Sequence, residues 1–353
     1  MSPQIKKIYP KLEKAFCDGL LLSSPANISY LADFTSRDAY LLISKKENFY
    51  ITDSRYIEEA KRNLAKIFTI KKINGSVFKL IAQLSRNLGL KNVAFEDRYL
   101  PFAEYVEIKK NLDKKIDFLP THGLVEELRQ IKSPQELQKI RKAIRITLGA
   151  LKYIENLISP GKKEIEIAAE LQRFIRYNGA TNSSFDIIVA SGPNSSFPHH
   201  ITGQRKIRNN EPVLIDLGVD YLGYKSDLTR VFFFGKITST FRRTYDIVAR
   251  AKDLAIRKIK PAVRIKAVDT AARQYITQKG YGRFFGHNLG HGVGLEVHEA
   301  PCISGSENIR LKPGMVFTVE PAIYLGGKFG IRLEDMVLVT QKGAQVLSGT
   351  LHK

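Results

Sequence analysis

Long apolar runs are missing from this 353-residue chain: no stretch approaches the ~18 uncharged apolar residues of a membrane span. The opening, MSPQIKKIYPKLEKAF, carries charge but no continuous hydrophobic region of the kind a secretory leader needs. A cytoplasmic protein is the expectation. Cysteine is almost absent as well. Cys17 and Cys302 fall in different presumptive domains and neither belongs to a CxxC, which argues against a disulfide scaffold or zinc ribbon and leaves reduced thiols. Acidic residues are scarce beside basic ones, 35 against 56, for a formal charge of +21. Such a surplus can draw a chain to nucleic acid, to anionic membrane surfaces or to acidic partners. Yet the lysines come mostly as doublets such as Lys6-Lys7, Lys45-Lys46 and Lys114-Lys115, without a block of about five like charges and without an RNP-like signature. A solvated basic surface is the expected reading, with neither nucleic acid nor membrane as partner.

What is present is ordinary core-forming material, 43% hydrophobic and 26% charged, on a length that suggests two domains. Residues 1–123 alternate short apolar runs (GLLLSS, YLLIS, FYIT, IFTI, VAF) with amphipathic ones (IEEAKRNLA, VFKLIAQLSRNLG, FAEYVEIKKNL), the pattern of an α/β layer domain without a catalytic constellation. A second domain, 124–353, opens after a boundary near Leu119 to Ser133. Ser133, Pro134 and Glu136 form a capping box with proline at the first helical position, and Leu137, Ile140, Ile144, Leu148 and Leu151 continue a helix to about Leu157. A second helix is expected from about Glu164 to Tyr177, stopped at Gly179. A strand at Ile187 to Ala190 and a hairpin follow. Then come helices near Thr240 to Lys258 and Ala267 to Lys279, a glycine-dense stretch and a second hairpin. Helix, helix, strands occurs twice, a weak internal duplication.

The first hairpin, VLIDLGVDYLGYKSDLTR, sets Val213, Ile215 and Leu217 on one face, so Asp216 points away from the apolar set. A reversal near Tyr221 and Leu222 would put Asp216 opposite Asp227, roughly 4.5 to 5.5 Å apart at Cβ. Carboxylates that close require protonation, an adjacent base or a cation. In the second hairpin, a turn centred near Gly327 sets Glu320 opposite Glu334. Four carboxylates gathered in one place would be balanced by two divalent cations, leaving room for a bridging hydroxide beside a neutral imidazole. His291, between Gly290 and Gly292, is the best candidate imidazole, because bare glycines let backbone and metal approach closely. His199, His287 and His298 also occupy polar or glycine-flanked positions. Each feature alone is more often a turn acid, a structural histidine or a loop; the pairing across two hairpins gives them meaning. Cys302 reads as an inert thiol, and His122, His200 and His352 as structural or solvent-facing. GHGVG lacks the GK[ST] of a phosphate loop.

The order Asp216, Asp227, His291, Glu320, Glu334, in the settings LIDLGVDYLGYKSDLTR, GHGVGLEVHE, TVEPAIY and RLED, resembles the M24 metallopeptidases: methionine aminopeptidase, aminopeptidase P, prolidase and the metal-free creatinase branch. The N-terminal segment, with DSRY at Asp53 to Tyr56, resembles the creatinase-type domain that accompanies prolidases and aminopeptidases P. The resemblance implies a creatinase-like α/β domain followed by a pita-bread α+β catalytic domain with pseudo-twofold symmetry, commonly in a homodimer. It implies two divalent metal ions per chain, manganese by family weight with cobalt, zinc or iron as alternatives. Asp216 would chelate one ion, Asp227 and Glu334 would bridge both, and His291 and Glu320 would complete the set. His199 and His298 match substrate-side histidines, His287 a nearby third, and Arg332 the arginine beside the last glutamate.

The implied activity is hydrolysis of the Xaa-Pro bond in dipeptides or at peptide N-termini through a metal-bridging hydroxide. His298 would donate to the oxyanion while Glu320 moves a proton from water to the leaving nitrogen. One departure stands out: after HEAP many prolidase-like sequences carry arginine where this chain has Cys302, which removes a candidate anchor for a dipeptide carboxylate. Two competing readings remain: a creatinase-like hydrolase, and a metal-free protein of this fold that binds RNA, ribosomes or histones. The complete ligand set argues against both.

Overall fold

The computed structural model describes residues 3–349 and divides into two compact units, Met1–Arg129 and Gln130–Lys353. His352 lies outside the described residues. The first unit is a six-stranded mixed sheet in the order Thr69–Lys72, Asn48–Thr52, Ala39–Ser44, Gly19–Leu22, Asn92–Glu96, Asp117–Thr121. Its central strands read as near-continuous apolar runs because helices cover them, which buries residues such as Leu21, Leu42, Ile51 and Val93. A buried acid, Glu96, accepts from the backbone N–H groups of Ser23 and Ser24 and from Asn27 Nδ2, tying the end of its strand to the start of the Pro25–Ala32 helix.

The second unit repeats one arrangement twice, as the mixed α/β pattern of the sequence predicts. In the first half the Pro134–Glu155 helix starts at a complete Ser133/Glu136 capping box, and the Glu164–Tyr177 helix ends ahead of Gly179 at φ +89°. In the second half Ser239–Lys258 and Ile265–Gln278 pair in the same way. Between the helix pairs lie antiparallel sheets, and the strand Leu228–Phe234 shows how period two builds two cores at once: Phe232 and Phe234 pack into the first, Val231 and Phe233 into the second. Val213, Ile215 and Leu217 all enter the first core, which leaves Asp216 on the opposite side.

The first hairpin corrects one expectation. Its register pairs Tyr221 with Tyr224 and Asp216 with Thr229, so the reversal is centred between Leu222 and Gly223, one residue later than anticipated, and Asp216 does not stand opposite Asp227. The reason is turn chemistry. The type I′ two-residue hairpin loop needs φ above zero at both central positions, and here Leu222 (φ +51°) and Gly223 (φ +83°) adopt it. The ladder is interrupted at Gly218, where a Cβ would lie 2.2 Å from Ser226 O, and Asp227 stands across this gap.

The second hairpin follows expectation. Leu325 pairs with Phe329 around Gly327 (φ +72°), Ala322 with Arg332, and Val319 with Asp335. Glu320 and Glu334 fall in the same register at the interruption between these two ladders, where side chains can turn inward.

Candidate metal centre

Both ladder interruptions open onto one place. Asp227, His291 and Glu334 each offer a ligand atom there, and these atoms lie within 4.8 Å of one another. Glu320 joins them: its Oε1 is 3.3 Å from His291 Nε2, which is 3.5 Å from Asp227 Oδ2. His291 sits on the short strand Gly290–Gly292, whose glycines are required by contact. A Cβ at 290 would lie 2.0 Å from Thr318 O, and one at 292 would lie 2.4 Å from Ala300 O. The His291 N–H donates to Thr318 Oγ1 (3.0 Å), and that hydroxyl donates to Glu320 Oε1 (3.1 Å). With Nδ1 directed at Gly292 O (3.3 Å), Nε2 is the ring nitrogen that faces the acids.

Asp216 is held beside this group by Arg332. The buried guanidinium donates to Asp216 Oδ2 (2.5 Å), to Thr229 Oγ1 (3.1 Å), to Pro198 O (3.2 Å) and to Tyr324 Oη (2.6 Å). Thr229, directly opposite Asp216, donates a hydrogen bond from its hydroxyl to Glu334 Oε2 (2.7 Å). Tyr324 in turn reaches His287 Nε2 (3.3 Å), whose Nδ1 donates to Asn288 O (2.7 Å). Two oxygens are left over. Among the described residues, Asp216 Oδ1 and Glu334 Oε1 are buried carboxylate atoms without a donor, the kind of acceptor that burial makes expensive.

The electrostatics agree. Burial, followed by Glu334 and Asp216, drives the Asp227 carboxyl well above its ordinary range. Burial, followed by Glu320 and Asp216, does the same to Glu334. Burial also opposes ionisation of Glu320, but the hydrogen bond and charge of His291 outweigh it and hold Glu320 low. For His291 burial is again the largest influence, and Glu320 overcomes it to raise the imidazole. The His291–Glu320 and Arg332–Asp216 pairs offset two of the carboxylates, while burial and mutual repulsion disfavour ionisation of Asp227 and Glu334. Cations would serve the same end, and an oxygen-rich cradle with one imidazole and orphaned carboxylate oxygens fits divalent ions.

The remaining sequence candidates form the rim. His298 is exposed, with its ring 4.2 Å from that of His291, and burial together with His291 and His199 pushes its pKa down. His199 is exposed as well. His287 is half-buried and its pKa is lowered, chiefly by burial. Burial pushes Tyr324 up to about 12. Cys302 stands opposite His291 in the ladder and its Sγ accepts from Asn288 Nδ2 (3.1 Å). His200 is a structural partner of Glu164 (2.9 Å), and exposed His122 faces Asp97 (3.2 Å). Sequence reasoning missed Thr229, Thr318 and Tyr324. Thr229 and Thr318 lie two residues from Asp227 and Glu320, on the same face of the chain, and that spacing was the available signal.

The family model "Metallopeptidase family M24" matches residues 138–341, and "Creatinase/Prolidase N-terminal domain" matches residues 4–131. The chain is 35% identical to the Xaa-Pro dipeptidase of Pyrococcus horikoshii over 99% of its own length and 98% of that protein. Among solved structures, the Xaa-Pro dipeptidase from Bacillus anthracis superposes with a TM-score of 0.95 at 38% identity, covering 99% of this chain and 98% of that one. The X-Pro aminopeptidase from Thermotoga maritima gives 0.89 at 34% identity, covering 97% and 99% respectively.

Proposed function

The chain belongs to metallopeptidase family M24, with a creatinase-type N-terminal domain and a pita-bread catalytic domain, and from that premise we propose that it is a two-metal exopeptidase hydrolysing Xaa-Pro bonds. What supports the reading is the grouping of Asp227, His291 and Glu334, with Glu320 beside His291, Asp216 acting electrostatically on Asp227 and Glu334, and a buried oxygen of Asp216 and of Glu334 left unpartnered among the described residues. Asp216, Asp227, His291, Glu320 and Glu334 would hold the pair of divalent ions. When bound, divalent cations supply Lewis acidity and make hydroxide available near neutral pH, manganese being the family-weighted choice.

The protein's own groups do the rest. Glu320, kept ionised by its neighbours, accepts the proton of the attacking water and delivers it to the leaving nitrogen. In an Xaa-Pro bond that nitrogen carries no hydrogen, so proton delivery decides whether the bond breaks. His298, exposed beside His291, would donate a hydrogen bond to the oxyanion, and His199 would contact substrate from the rim. His287 reaches the centre through Tyr324. Arg332 orients Asp216 and Thr229 from beneath.

The test is an assay of Ala-Pro beside Arg-Pro-Pro with added Mn²⁺. Cleavage of the dipeptide alone makes the enzyme a prolidase, and cleavage of the tripeptide makes it an aminopeptidase P. Cleavage of neither overturns the proposal. The homodimer and the cytoplasmic setting rest on the family resemblance and on the composition; light scattering tests the first. Among the described residues no helix is long and apolar enough to cross a membrane.

A further inference from the structure

The chain between His291 and Glu299 leaves its ladder and returns. Gly292 pairs with Glu299, so residues 293–298, His298 among them, form the connection between the two strands, and the register slip relative to the His291–Cys302 pair falls at Ala300 and Pro301. That loop is held from within by Lys132. Its Nζ donates to Glu299 Oε1 at 2.7 Å, with the two side chains 1% and 4% exposed. An ion pair withdrawn this far from water returns little net stability, because desolvation offsets the Coulomb attraction. Its value lies in where it fixes things.

Glu299 is the residue after His298, and its carboxylate fills the hollow of the loop. A Cβ at Gly294 would lie 2.4 Å from Oε1, and the Glu296 N–H points at Oε2 from 3.4 Å. Lys132 is anchored at its other end: its N–H donates to Gly314 O (2.9 Å), and the next residue, Ser133, caps the long helix that begins at Pro134. A rigid helix start is thereby connected, through one buried ion pair, to the backbone that carries His298.

We propose that Lys132 and Glu299 are positioning residues that fix His298 relative to His291 and thereby set its contact with the reacting oxygen, without either of them touching substrate. The inference rests on the reading of His298 given above. The test is a double-mutant cycle in the Mn²⁺-loaded full-length enzyme, on whichever of Ala-Pro and Arg-Pro-Pro the wild type cleaves. The neutral pair Lys132→Met/Glu299→Gln removes both charges of this ion pair together. It is expected to lower kcat by about tenfold, within what one oxyanion donor is worth, with KM and bound metal unchanged. In a His298→Ala background the same change is expected to cost less than about twofold, with the same change in Tm in both backgrounds.

A full loss of kcat in the His298→Ala background, or no loss in the wild-type background, overturns the inference. Should the neutral pair fail to fold, Lys132→Arg carries the same cycle, since its planar fork cannot reproduce the ammonium geometry. Wild-type kcat in His298→Ala alone contradicts the reading of His298 and takes the inference with it. A costly His298→Ala combined with an additive pair effect contradicts the inference only.

Discussion

Two groups of buried acids in the second unit are solved in opposite ways. Glu164, fully buried at its side chain, accepts from Ser191 N and Ser191 Oγ (both 2.7 Å), from Asn194 Nδ2 (3.0 Å) and from His200 (2.9 Å). Burial works against its ionisation, but these donors together prevail and hold it below the ordinary carboxylate range. The hairpin acids Asp227 and Glu334 are equally buried yet driven upward, and Glu334 keeps an oxygen with no donor. A carboxylate satisfied by protein donors is structure. One left short of them, among like charges, is a demand for something the chain does not itself provide.

The sharpest break of that comparison is catalytic. Glu320→Ala is expected to abolish turnover, a loss of at least about 10³ in kcat, whereas Glu164→Ala is expected to leave kcat per folded molecule nearly intact. Steady-state kinetics at saturating Mn²⁺ separate the two, and full activity in Glu320→Ala would remove the proton-transfer role. Stability should reverse the ranking. Glu164→Ala strands His200 and several donors, at a cost of about 3 kcal/mol. Glu334→Gln relieves like-charge repulsion, so in chelator-treated protein it is expected to be neutral or stabilising. Urea denaturation of both variants reads this directly.

The pH dependence is smaller and has opposite signs. A carboxyl with a lowered folded pKa stabilises above its unfolded value of roughly 4.3 and loses that contribution as pH falls through the folded value, which is the case of Glu164. Carboxyls with raised folded pKa values, Asp227 and Glu334, cost nothing below their unfolded values and penalise the fold increasingly as pH rises from there toward the folded values. Chelated protein is therefore expected to weaken from mildly acidic toward neutral pH and to recover on Mn²⁺ addition. An unchanged profile with and without Mn²⁺ would contradict this.

Much of the architecture was legible because the signals are local. The Ser133 capping box, the 3.6 periodicity of the helices and the glycines at the second turn each act within a few residues, and Glu320 and Glu334 follow from the turn at Gly327 alone. The first hairpin misled by one residue because Leu222 takes a left-handed conformation that leucine rarely adopts. The groups that organise the centre were harder to see. Thr229 and Tyr324 look like ordinary strand residues, and Arg332 meets Asp216 across 116 positions of sequence, Lys132 meets Glu299 across 167. No local pattern encodes such encounters; they arise only once both halves of the unit have folded.

The central claim is that acids from two hairpins jointly require divalent ions. Metal analysis of protein purified without chelator, repeated on Glu334→Ala, tests it most directly. About two equivalents per chain in the parent protein and a marked loss in the variant are the predicted result. Full turnover of an Xaa-Pro substrate by protein containing no metal would contradict it.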